Sequence, residues 1–336
     1  MSVVGTPFIV DDEAALAARA AWLYFSGGRT QGEVAKALNV TNTKAHRLIA
    51  RASKEGMIKV FVEGPIAGCV ALEETLKAKF GIGHCEVVPN VDEEELPIRA
   101  LGIAGARYLR GLIEQGRHKL IGIGHGRTLA SAIDHLPGIA AGETKFVSLL
   151  GGLTRRFAAN PFDCIHRLAE RTGAEAYLMP VPFFANSVKD KQVLLSQYGV
   201  REVVAMADEA TLNIAGIGEV NRKAFLSLGH MVSDEEMDTV SEAGATGELL
   251  GHFFDAQGIE IQNDLSDRAL APPVSKLRNR KIVAIAGGVK KVRAIQSILN
   301  SGLLAGLITD EATAKCLIEN RPDIPTGKTK NGKSAK

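Results

Sequence analysis

Along residues 12–58 the apolar positions recur at helical spacing, in three short segments separated by turn residues. Residues 12–26 (DEAALAARAAWLYFS) hold no Pro or Gly and place Leu16, Ala20, Leu23 and Tyr24 on one face. That spacing predicts a helix, closed by Gly27-Gly28. Thr30 opens a second helix, and Glu33 three residues later completes a capping box. Val34, Ala35 and Leu38 supply its apolar stripe, and Asn39 falls at a tight turn where left-handed backbone is needed. Thr41 caps a third helix running to about Glu55, where Gly56 stops it, and MIKVFVEGP (57–65) reads as a strand or wing. Three short helices, the last two joined by a tight turn and followed by a wing, give the order of a winged helix-turn-helix.

After Gly64-Pro65 the pattern changes. Helical segments at 70–79 and 95–115 flank the strand-like CEVVP. Short apolar runs follow, each ending in glycine or a turn: KLIGIG (119–124), KFVSLLGG (145–152), AEAYLMPV (174–181), REVVAMAD (201–208), LNIAGIG (212–218), KIVAIAGG (281–288) and LLAGLITD (303–310). Helical patterns separate many of them, as in RTLASAIDHL, PFDCIHRLAERTG and KKVRAIQSILNSG, and Asn160-Pro161 is a helix-start signal. Near-continuous apolar strands alternating with helices predict a largely parallel α/β sheet covered on both faces. The expected organisation is a DNA-binding domain at 1–63, an α/β domain at 64–320, and a lysine-rich tail at 321–336 low in apolar residues.

Composition narrows the class. A chain of 336 residues, 46% hydrophobic, can bury a sizeable core, and a net charge of +2 excludes a generally basic nucleic-acid coat. Nucleic-acid contact must therefore come from a local patch. Residues 29–59 hold seven Lys/Arg (Arg29, Lys36, Lys44, Arg47, Arg51, Lys54, Lys59) against Glu33 and Glu55. Cys69, Cys85, Cys164 and Cys316 lie far apart without metal-ligand spacing, so no metal site and no cofactor are expected. No apolar run approaches the ~20 residues of a membrane span, and the N-terminus lacks signal-peptide character. The expectation is a cytoplasmic protein.

The third helix carries the first candidate chemistry. A recognition helix sets polar side chains at its N-terminal turns toward base edges and cations toward phosphate. Thr41, Asn42, Thr43, Lys44 and His46 occupy those first positions, with Arg47 and Arg51 one turn apart. Thr30 and Gln31, opening the preceding helix, are placed to meet the DNA backbone.

A second constellation is IGIGHGRTLASAI (121–133), a strand running into Gly122, Gly124 and Gly126, then Arg127-Thr128 at a helix start. Such a loop, a hydroxyl and a guanidinium favour an anion such as a sugar phosphate. It fits neither the GK[ST] of a Walker loop nor a GxGxxG dinucleotide fingerprint, and tight-turn packing alone would also account for its glycines. Glycines recur at other strand ends: Gly151-Gly152, Gly216, Gly218 and Gly287-Gly288. With Thr154, Arg155, Asn160, Glu219 and Lys291 nearby, they point to one shared pocket at the carboxyl ends of the strands. Glu248 and Asp255 in GELLGHFFDAQG are candidates for hydrogen bonds to sugar hydroxyls, or a cap and a turn. His125 and His166 read as hydrogen-bonding or core histidines, and no catalytic motif is present.

The chain resembles the SorC family of bacterial transcriptional regulators, the DeoR-type regulators with a sugar-binding domain. The resemblance lies in AAWLYFSGGRTQGEVAKALNVTNTKAHRLIARASKEGMIKV, then GIGHGRTL, SLLGGL, AGIGEV, GELLGHFFDAQG and AIAGGVKKVRAI, over about residues 13–320. It implies a homo-oligomer, usually a tetramer, that binds operator DNA of a carbohydrate-catabolism operon and responds to a sugar, sugar phosphate or sugar alcohol. It also implies an effector domain of the sugar-phosphate isomerase/deaminase type. Gly126, Arg127 and Thr128 fall on the family's phosphate loop. Lys291 matches a lysine that contacts phosphate in sugar-phosphate-binding members, and Asn160 and Glu248 fall near sugar-contacting positions. His125 stands where an aromatic residue is common, Leu150 where some phosphate-sensing members carry arginine, and Asn39 where a turn glycine is frequent. GIGEVNRK lacks the Asp-Gly-His run of the deaminases, which argues against deamination; an isomerase/deaminase-like enzyme with an appended DNA-binding domain is the alternative.

Overall fold

The computed structural model describes residues 12–55, 57–58, 67–90, 96–153 and 163–320. The chain divides into two compact units, Met1–Val62 and Glu63–Lys336.

In the first unit, helix Asp12–Ala21 passes into a wider turn, Trp22–Ser26, closed by the Gly27 N–H donating to the Trp22 carbonyl at 2.9 Å. A Cβ on Gly27 would stand 2.6 Å from the Leu23 carbonyl oxygen, so glycine is required where the helix stops. Helix Gln31–Leu38 begins with both halves of the Thr30–Glu33 capping box, and Asn39 ends it at φ 52°, ψ 48°. Helix Asn42–Lys54 starts with the Thr41 hydroxyl accepting from the Lys44 N–H. Ala17, Ala20, Ala21, Ala35, Ala45 and Ala52, with Val34, Leu48 and Ile49, form the core. Small side chains let three short helices approach closely, which a unit of this size needs to bury enough surface. Of the wing expected at 57–65, only Met57 and Ile58 are described, and they belong to no helix or strand.

The second unit is built on a seven-stranded sheet in which every neighbouring pair is parallel. Its strands are β1 (His84–Val88), β2 (Leu120–Ile123), β3 (Lys145–Ser148), β4 (Ala176–Tyr177), β5 (Leu212–Ala215), β9 (Lys281–Ile285) and β10 (Gly306–Asp310). A separate antiparallel sheet contains β6 (Gly218–Glu219), β7 (Gly247–Leu249) and β8 (His252–Phe254). The large sheet runs β1-β10-β9-β5-β2-β3-β4. From β2 the chain steps outward through β3 and β4, then returns to place β5 on the other side of β2. Strand order reverses there, and the loops leaving β2 and β5 part to leave a crevice. β5 and β10 are buried along their whole length, as a doubly covered parallel sheet demands.

One expectation is corrected. REVVAMAD is not a strand: it lies in helix Tyr198–Glu209. Val200, Val203, Val204 and Ala207 follow i, i+3, i+4, i+7 spacing, and Val200 and Ala207 are buried, so the helical period outweighs the β-propensity of valine. GELLGHFFDAQG is a β-hairpin, Leu249 opposite His252, whose turn residues Leu250 and Gly251 have φ of 52° and 83°. Two successive positive φ angles match the strand twist. The helix after Asn160-Pro161 begins at Ile165, and the Asn160-Pro161 signal itself lies outside the described residues.

Candidate functional site

The candidate DNA-contacting side chains sit in the first unit and point outward. Thr41, Asn42, Thr43, Lys44, His46 and Arg47 are exposed along the N-terminal half of Asn42–Lys54, while Ala45, Leu48, Ile49 and Ala52 hold the opposite face in the core. Two hydroxyls also serve as caps: Thr41 accepts from Lys44 N–H, and Thr30 is hydrogen-bonded to Glu33. Gln31, beside Thr30, is half-buried. Arg51 differs from Arg47. Its guanidinium meets Glu55 at 2.7 Å and Glu13 at 3.2 Å, tying this helix to Asp12–Ala21, whereas Arg47 only approaches Glu13 at 3.8 Å.

The candidate effector site is a cleft at the β2/β5 reversal, partly open to solvent. Three strand-end loops and one strand contribute charged or polar lining: Gly126–Thr128 after β2, Gly216–Glu219 after β5, Lys291 after β9, and Glu248 within β7. Leu150, Phe183, Leu226 and Met231 supply apolar walls. An apolar cavity with a few converging polar groups is the usual form of a small-molecule site.

Gly126 precedes helix Arg127–His135 with φ 134°, a conformation that suits glycine. The Thr128 hydroxyl donates to the Ile285 carbonyl at 2.9 Å, pinning the start of this helix to β9. Gly288 donates to Asp310 and Thr313, both at 2.8 Å, and this fixes the turn that carries Lys291. The Lys291 ammonium donates to the Ile217 carbonyl at 2.7 Å. Burial lowers its pKa and Arg127 lowers it further, while Glu219 and Glu248 oppose that shift. The Glu248 carboxyl is pushed up by burial, against an opposing 2.6 Å hydrogen bond from Gly251 N–H and the fields of Lys291 and His252. A Cβ on Gly218 would stand 2.2 Å from Glu248 Oε2, so glycine there makes room for the carboxylate. His125 is buried beside the cleft, and burial pushes its imidazole down to about 4 against the opposing field of Asp163. Two cations, two carboxylates and a neutral imidazole thus face one space.

Of the residues expected at the effector site, Gly126, Arg127, Thr128, Glu248 and Lys291 line the cleft. Gly122, Gly124, Gly151 and Gly152 do not; Gly122 and Gly151 are close-approach positions. A Cβ on Gly122 would stand 2.1 Å from Asn213 Oδ1, and one on Gly151 would stand 2.1 Å from the Pro182 carbonyl oxygen. The N–H groups of Gly124, Gly151 and Gly152 donate to the carbonyls of Ile214, Leu270 and Met179. Asn160, with Thr154 and Arg155, lies outside the described residues. Asp255 is in a turn, accepting from Gln257 and Ile259 N–H, and His166 is on helix Ile165–Thr172 without lining the cleft. The apolar walls escape a motif search, because Phe183, Leu226 and Met231 sit in segments with no pattern of their own. Among the described residues no group of His, Cys, Asp and Glu could hold a metal ion, and no helix is long and apolar enough to cross a membrane.

Comparison with known proteins completes the picture. A family model described as "Putative sugar-binding domain" matches residues 64–319. The erythritol catabolism regulatory protein EryD of Brucella abortus is 50% identical over 310 residues, 92% of this chain and 98% of that protein. The transcriptional regulator LsrR of an Enterobacter species is 31% identical over 312 residues, 91% and 93% of the two chains. The full-length sorbitol operon regulator SorC of Klebsiella pneumoniae superposes with a TM-score of 0.65 at 24% identity, covering 92% of this chain and all of that one, a likeness of fold. A helical N-terminal unit joined to a parallel α/β sugar-binding unit, in a sequence related end to end to two regulators, gives the family: the chain belongs to the SorC/DeoR-type sugar-binding transcriptional regulators and is a sugar-responsive regulator, not an enzyme.

Proposed function

We propose that the effector is a small polyol or sugar, carrying at most one phosphate, and that it binds the β2/β5 cleft and changes the protein's affinity for its operator. The observation that carries this reading is the convergence of Arg127, Lys291, Glu219 and Glu248 on one small cleft. Carboxylates accept from hydroxyls, and the two cations donate to hydroxyl or phosphate oxygens. Two positive groups balanced by two negative ones suit a ligand of little charge and leave no excess for a bisphosphate. The relation to EryD points the same way, toward a four-carbon polyol such as erythritol and an operon for its catabolism.

In this reading Thr30, Gln31, Thr41, Asn42, Thr43, Lys44, His46 and Arg47 meet operator DNA, within a domain spanning residues 1–63. Arg51 acts mainly as a strut. The effector and oligomerisation domain spans 64–320, and the assembly is a homo-oligomer, a tetramer built as a dimer of dimers. Ligand binding shifts regulation only by its unequal affinity for the DNA-competent and DNA-incompetent states; a tenfold preference supplies about 1.4 kcal/mol per site. Lys291 is the natural point of action, since a ligand oxygen that draws its ammonium from the Ile217 carbonyl releases the loop between β5 and β6.

A thermal-shift screen of the purified protein against tetritols, pentitols, aldoses and their monophosphates tests the reading. A ligand at about one hundred times its dissociation constant is expected to stabilise the protein by about 2.7 kcal/mol. The same ligand is expected to change operator affinity. Stabilisation by bisphosphates alone, or by nothing in the set, would overturn it.

A further inference from the structure

A groove on the first unit combines features that neither the helix-turn-helix pair nor the sequence motifs account for. It lies between helix Asp12–Ala21 and helix Asn42–Lys54 and is lined by Glu13, Ala15, Leu16, Arg19 and Lys44. The two helices meet at two levels. Glu13 turns its carboxylate to Arg51 and Arg47, beyond the first turn of the recognition helix. Arg19, almost two turns further along, lies with Lys44 at the recognition helix's first turn. Arg19 and Lys44 are both exposed, and among the described residues neither has a carboxylate within ion-pair distance. The carboxylate of the groove is thus spent on one pair of cations and a second pair is left for an outside anion.

We propose that Arg19 and Lys44 together hold one phosphodiester of the operator backbone, Arg19 being a DNA contact supplied from outside the helix-turn-helix pair. Three physical conditions meet there. Lys44 sits in the first turn of Asn42–Lys54, where the helix dipole adds positive potential. That turn also carries the side chains placed to enter the major groove, so a phosphate flanking the groove passes beside it. Arg19 brings a planar fork suited to phosphate oxygens. The contact positions the protein on the duplex and reads no base. The proposal rests on Asn42–Lys54 being the recognition helix.

The test uses the full chain, an operator selected by it from a random-sequence pool, and an unrelated duplex of the same length. Dissociation constants are measured across a salt series for the wild type, Arg19→Ala, Arg19→Lys and Arg19→Gln. Arg19→Ala is expected to weaken both duplexes by the same factor and to flatten the slope of log K against log salt by about 0.9, one phosphate contact. Arg19→Lys should keep the slope and Arg19→Gln should lose it, which separates charge from any packing effect on Tm. Equal slopes in the Lys and Gln variants, or a loss confined to the operator, would overturn the proposal. Asn42→Ala judges the recognition helix separately: there the operator loses its advantage over the unrelated duplex, whatever the Arg19 slopes show.

Discussion

The two candidate sites use charge in opposite ways. On the first unit, cations are exposed on a helix whose other face is an alanine-rich core, and among the described residues Arg51 is held by two carboxylates. In the β2/β5 cleft, Arg127, Lys291, Glu219 and Glu248 face one another at the edge of the core, and burial shifts the titration of Lys291 and Glu248 toward neutrality. The difference follows from what each surface would meet. A duplex brings its own dense negative charge and takes cations in water. A small ligand must replace the solvation that buried groups have lost, so Lys291 and Glu248 are held on backbone groups before it arrives.

The comparison breaks most readily at His125. Its unfolded form takes up a proton near pH 6.5, while the folded form resists until about 4. Between those values acid favours the unfolded state, so stability is complete above about pH 6.5 and falls as pH falls, by roughly 3 kcal/mol at the lower end. Chemical denaturation across pH 4–7 should show this slope in the α/β unit, and His125→Gln should flatten it. The close-approach glycines come next. Gly122→Ala is expected to cost about 2 kcal/mol through overpacking against Asn213 and Leu149, read as a lower Tm with the first unit untouched.

Arg127→Ala sharpens the contrast. It should cost about 2 kcal/mol of effector affinity by calorimetry, some thirtyfold, while operator binding without effector is unchanged. Thr30→Ala acts on the other side alone: loss of the capping box should destabilise the first unit by about 1 kcal/mol and leave effector affinity as it was. Arg51→Ala is the smallest, within about 1 kcal/mol and shrinking with added salt, because its partners are half exposed.

How legible each region is in the sequence follows from where its information lies. The caps at Thr30 and Thr41 and the turn at Asn39 are local devices, readable within four residues, and all three are present. Most strands of the large sheet are readable from apolar runs. The run at 201–208 misleads because two adjacent valines look like a strand until Val200 and Ala207 are counted with them. The hairpin at 247–254 is hidden because its turn is Leu-Gly, without the Asn or Asp that usually marks positive φ. In the site, Arg127, Glu248 and Lys291 stand out as charges beside glycines. Which glycines face the cleft depends on neighbours across the sheet: Gly122 answers to Asn213 and Gly151 to Pro182, and no spacing along the chain reveals that.

The pairing of β1 with β10 carries a further consequence, one of timing. His84 is joined to Gly306, so the edge of the large sheet cannot close until nearly the whole chain has left the ribosome. The helices of the first unit need only contacts among residues 12–58 and can form while the sensor is still being made. Translation stopped before residue 306 would therefore release a chain able to shape the helices of its first unit but unable to complete its sugar-binding unit, a molecule deaf to its effector.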